Sequence, residues 1–163
     1  MTLHTLQKFI IDILTHDKWL TKRNIAVIAE NVNDLESAIQ AQVAKMGLVL
    51  SVATPGVNSD APDAFQAKGV SNVVITCYEM PIVNRANAGR ATALDAAERV
   101  ACVLSMITDT RNERIGPPSF VKIESGVSGQ NKADTIIFHN VHFRVMVALS
   151  GDIDAEPPTQ LQG

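Results

Sequence analysis

Four histidines, two cysteines and seventeen acidic side chains are the groups through which this chain could do chemistry, and their spacing limits what is available. His139 and His142 stand three apart where apolar and polar residues alternate, and a strand sends such a pair to opposite faces, so together they cannot chelate one ion. His4 and His16 have no ligand-type residue at metal spacing beyond Asp17, so no metal site is expected. Cys77, in the most apolar stretch, reads as a small buried hydrophobe with an inert thiol. Asp95 and Arg99 have the i,i+4 spacing of a helix ion pair, and Asp152 and Asp154 belong to the C-terminal segment, so no acid/base pair stands out. There is no Gly-rich phosphate loop, no G-x-S-x-G elbow and no Cys-His signature, and Gly126 and Gly129 do not precede a helix. No catalytic residue, metal or cofactor is therefore assigned. Tyr78, Glu79 and Arg85 at a strand end could bind an anion, but alternation points Tyr78 and Glu79 to opposite faces.

The elements that must position these groups belong to an ordinary globular chain: 163 residues, 46% hydrophobic, 19% charged, formal net charge -3. That length can bury a core without disulfides or metal, so two cysteines are no disulfide framework. No apolar run reaches membrane-span length and no signal peptide is read at the start, so a cytoplasmic location is the expectation. Slight acidity argues against tight nucleic-acid binding. Residues 1–150 read as one α+β domain, and 151–163, with three acids and two prolines, as a disordered tail.

Along the chain, Leu3, Leu6, Ile10, Ile13 and Leu14 mark an amphipathic helix. Ile25 to Ala29 reads as a strand, and Asn33 with Glu36 as the capping box of a helix whose Leu35, Ile39, Val43 and Met46 form one face before Gly47. A strand over 48–53, a long loop over 54–68 and a central strand over 70–83 follow, then a polar turn over 84–90. Thr92 and Asp95 cap an alanine-rich helix with a core arc of Leu94, Ala97, Val100, Ala101, Leu104 and Ile107. Strands over 120–124 and 137–149 form a terminal hairpin, with residues 125–134 as a long mobile loop. The fold expected is a mostly antiparallel sheet with helices packed on it.

Two patches invite contact with another subunit. Cys102 and Met106 fall on the charged helix face with Glu98 and Arg99; partial exposure and subunit contact both account for them. Five of the seven arginines, Arg85, Arg90, Arg99, Arg111 and Arg114, surround that helix among four acids, a mixture that suits ion pairs rather than a nucleic-acid face. On the last strand, Asn140, His142 and Arg144 share the polar face.

The run Tyr78-Glu79-Met80-Pro81-Ile82-Val83-Asn84-Arg85, followed by Gly89 and the helix from Thr92 to Leu104, resembles the tail-terminator or tail-completion proteins of long-tailed phages and prophages. In that family an apolar strand likewise runs into an Asn-containing turn, a similar helix and a closing hairpin. The resemblance covers Leu3 to Ser150 by element order and Val70 to Leu104 at motif level. It implies a non-enzymatic structural protein of the virion tail or neck, assembled in the bacterial cytoplasm. Such a protein forms a ring, commonly a hexamer, that caps the tail tube and meets the head connector. The leading segment through Trp19 and the 54–68 loop depart from the smaller members and leave a neighbouring neck protein as an alternative. Two readings of other classes stand beside it: a small α+β enzyme or ligand-binding domain with its pocket under loop 54–68, and a homodimeric adaptor whose final strand is an edge protected by His142 and Arg144.

Overall fold

The computed structural model describes residues 3–30, 35–58, 67–86, 91–129 and 131–149. Helices are α1 (Leu3–His16), α2 (Lys18–Thr21), α3 (Leu35–Met46), α4 (Pro81–Ala86) and α5 (Ala93–Ser105); strands are β1 (Ala26–Ala29), β2 (Leu48–Asn58), β3 (Ala67–Glu79), β4 (Ser119–Ser128) and β5 (Ile136–Leu149). The strands form one sheet in the order β1-β2-β3-β5-β4. Only β1–β2 is parallel; the other three pairings are antiparallel. The fold is α+β, as the alternation in the sequence implies.

Period-two alternation sorts the sheet into two faces. On β5 the buried Val141, Phe143, Val145 and Val147 lie on one face, in register with Ile75, Val73, Ser71 and Gly69 of β3. Leu48, Leu50 and Val52 of β2 extend this face. It is covered by α1 through Leu6, Ile10 and Leu14, all fully buried, and by α5 through Ala93, Ala96, Ala97, Val100 and Leu104. The opposite face carries a small cluster, Ile39 and Val43 of α3 against Val49, and is otherwise open toward β5 and β4.

Several boundaries differ from the sequence reading. The central strand stops at Glu79, not Val83, because Pro81 opens α4; proline lacks an N–H to donate and its fixed φ suits a first helical turn. Strand β2 runs through Asn58 and β3 begins at Ala67, so both take residues expected in the 54–68 loop; a register shift between Ala53 and Gly56 absorbs the break in β2. The hairpin pairs on to Ser128↔Ile136, so Ser125–Ser128 of the expected 125–134 loop belong to the ladder. The final strand is no edge, since β5 lies between β3 and β4. Leu94 is 46% exposed rather than core. The small Ala93 and Ala96 face the sheet in its place, which lets α5 lie close. The Asn33–Glu36 capping box, Leu35 as a packed residue and the 151–163 tail lie outside the described residues.

Candidate functional site

The residues quoted for the family resemblance build a latch. Glu79 is buried, and its carboxylate accepts 2.8 Å hydrogen bonds from Asn84 Nδ2 and from the backbone N–H of Ala93, the first residue of α5. A carboxylate at a helix N-terminus satisfies an orphan donor and opposes the positive end of the dipole. Asn84 Nδ2 also donates to Ala91 O at 2.9 Å, so one buried amide ties β3, α4 and the entry of α5 together. Thr92 and Asp95 complete the helix start as a capping box, as expected. Tyr78 lies on the opposite sheet face, paired with Val49, so the Tyr78–Glu79–Arg85 anion site does not come together.

Beside the latch, α5 turns a mixed surface outward. Arg99 is not paired with Asp95 as its spacing suggested. Its Nη2 donates to Asp17 Oδ2 at 2.6 Å and its Nε to Asp17 Oδ1 at 3.2 Å, while Asp17 caps α2 by accepting from the N–H groups of Trp19 and Leu20. The Arg99 hydrogen bond, opposed by burial and helped by those two N–H groups, holds the Asp17 carboxyl below its ordinary range. Glu98 and Cys102 are exposed beyond this pair, and Met106 is 80% exposed at the helix end. Arg85 is exposed on α4; Arg90 lies outside the described residues.

The other candidate patch lies on the open sheet face. Asn140 Oδ1 accepts from Thr76 Oγ1 at 2.8 Å, and Arg144 is exposed opposite Ser119. His142 Nε2 sits 2.9 Å from Glu124 Oε2 without the alignment of a hydrogen bond, and Lys122 Nζ reaches Glu124 Oε1 at 2.6 Å. His139 is on the covered face, against Ser125, so the two histidines diverge as alternation requires. Cys77 is fully buried and burial pushes its thiol up, which keeps it protonated. Among the described residues no group of three or more His, Cys, Asp or Glu could hold a metal ion.

The sequence reading passed over a cleft of about 640 Å³ on the open face between α3 and the far half of the hairpin. Ile39 and Gln40 line one wall, Ile136 and Phe138 the other, with Tyr78, Thr76, Asn140 and Glu30 among the groups that reach it. Tyr78 and Phe138 are tilted rings 6.5 Å apart. Glu30 is the one ionisable carboxylate among the lining residues, and burial pushes it up from its ordinary range. The available signal is Ile136 and Phe138, two large apolar residues on the side of β5 that carries Asn140, His142 and Arg144.

Fold and surfaces define an α+β sheet protein with one face packed under α1 and α5 and the other largely open. In fold the chain is similar to a chain of a structure described as "Virion of native gene transfer agent (GTA) particle", with a TM-score of 0.59 and 22% identity, covering 88% of this chain and 95% of that one. No protein-family model matches the chain, and no curated protein does.

Proposed function

We propose that this chain is a non-enzymatic structural component of a phage-like virion. The observation that carries the reading is the shared fold, over 88% of the chain, with a chain of a gene transfer agent virion. Within that class the resemblance read from residues 78–104 favours the tail terminator: a ring, commonly of six subunits, that ends the tail tube and joins it to the head connector at the virion neck. Its partners are then further copies of itself, the tail-tube protein and the connector.

The physics of ring closure supports this assignment. A ring needs a heterologous contact between two different patches, whereas one self-complementary patch closes a dimer. The chain carries two patches on opposite layers: α5 with Glu98, Cys102 and Met106 over the packed face, and Asn140, His142 and Arg144 on the open face. The net charge of -3 also suits a channel that lets DNA pass without holding it. Native mass by light scattering across a concentration series tests the ring. A hexamer, or a monomer converting to one with concentration, is expected; a concentration-independent monomer or a stable dimer overturns it.

A further inference from the structure

We propose that the cleft beside Glu30 receives the Ile82–Arg85 edge of α4 from a second copy of this chain. The inference rests on the ring reading and gives it a polarity, with α4 and α5 on the donor side and the open sheet face on the acceptor side. Three observations carry it.

First, the cleft is built for a long cation with an apolar stem. Its walls are aliphatic at Ile39 and Ile136 and aromatic at Tyr78 and Phe138, and Glu30 is the one carboxylate among its described lining residues. Among the described residues no hydrogen bond or ion pair reaches the half-buried Glu30 side chain. Burial raises its proton affinity, as expected of a carboxylate awaiting a counter-charge. A guanidinium satisfies all of these demands, since its fork pairs with a carboxylate and its plane lies on aromatic rings.

Second, α4 presents that chemistry outward. Ile82 and Arg85 are three residues apart on a helix, which places them side by side on one face. Ile82 is 54% exposed and Arg85 is exposed, while Asn84 turns inward to the latch. Arg85 has no ion-pair partner among the described residues.

Third, the presenting helix is fixed before docking. The Glu79–Asn84 bond and the 2.9 Å bond from Met80 N to Gly47 O hold α4 against the sheet, so its exposed edge needs no ordering on contact, which favours association.

The test is a charge exchange read by native mass over a concentration series. Glu30→Arg alone and Arg85→Glu alone are each expected to raise the concentration needed for assembly by roughly tenfold or more, as loss of one partner of a desolvated ion pair does. The two changes in one chain restore assembly. The neutral variants Glu30→Gln and Arg85→Gln, each weakening assembly less, carry the same test if a charge reversal prevents folding. Singles that assemble like the parent, or a double exchange that fails to restore assembly in folded protein, overturn this contact and leave the ring standing. Rescue of a species that stops at two subunits upholds the contact and overturns the ring. A parent chain that stays monomeric throughout overturns both.

Discussion

Asp17 and Arg99 show how a residue can leave the partner its spacing suggests. Arg99 is four residues after Asp95, yet Asp95 is occupied by the N–H and hydroxyl of Thr92 in the capping box, while Asp17 offers both carboxylate oxygens from another element. Asp17 also accepts two backbone N–H bonds, so its removal strips the cap of α2 and strands a guanidinium 39% exposed. Asp17→Ala is expected to cost about 1–2 kcal/mol at neutral pH, with most of that from the lost cap, because a partly exposed ion pair adds little. The pH dependence follows from the direction of the shift. A carboxyl lowered in the folded state contributes stability fully present above its unfolded value of 3.8, and that contribution is lost as pH falls through the lower folded value. The difference between parent and variant, measured by urea unfolding from pH 7 downward, should therefore narrow below about pH 4. A gap that stays constant would show that Asp17 acts through shape rather than charge. Glu30 has the opposite sign: raised by burial, it costs the parent stability once ionised, so in urea unfolding the advantage of Glu30→Gln over the parent should grow as pH rises through the carboxylate range.

At the scale of elements, α3, β2 and α4 meet at one glycine. Gly47 has φ +80 and ends α3, accepting the strand that follows; a Cβ there would lie 2.8 Å from both Cα and N of Asn84. Left-handed backbone costs a non-glycine residue about 1–2 kcal/mol, and a backbone contact that close cannot relax by rotating a side chain. Gly47→Ala should therefore lose roughly 2 kcal/mol or more, seen as a fall of several degrees in thermal midpoint. A variant as stable as the parent would mean that α4 yields freely. The sequence made this glycine legible as a helix end, and it made β5 legible through its alternation and α5 through its cap. What it left unread were contacts set by tertiary pairing. Pro81 reads locally as the fraying of a strand and not as the start of a helix tied by Asn84 to Glu79 fourteen residues before Ala93. The extra ladder of the hairpin from Ser125 to Ser128 was hidden because glycine and small polar residues resemble a loop until β5 supplies their partners. The cleft was hidden for a related reason: Glu30, just after β1, and Gln40, Tyr78 and Phe138 come from four separate stretches of the chain, and no spacing in it announces their convergence.

For the whole molecule, the unequal covering of the two sheet faces is the property with consequences for assembly. The layer under α1 and α5 is packed over β2, β3 and β5, and a partner on that side meets the outer surfaces of those helices or the exposed Phe120 and Val127 of β4. The other layer is covered only where α3 lies, which leaves the cleft and the β5–β4 surface available. In the proposed ring a head-to-tail contact would use both sides once per subunit, so damage to either should prevent assembly without unfolding the subunit. Changing Cys102→Glu and Met106→Glu together tests the donor side. Both side chains are exposed in the single chain, so folding stability should change by no more than about 0.5 kcal/mol. In an interface the same changes bury two unpaired carboxylates, and native mass should fall to that of the monomer. Assembly that survives intact would remove the Cys102–Met106 surface from the contact. The proposed donor side would then narrow to α4 and the start of α5, where the Glu79 bonds to Asn84 and Ala93 hold the helix that carries Arg85.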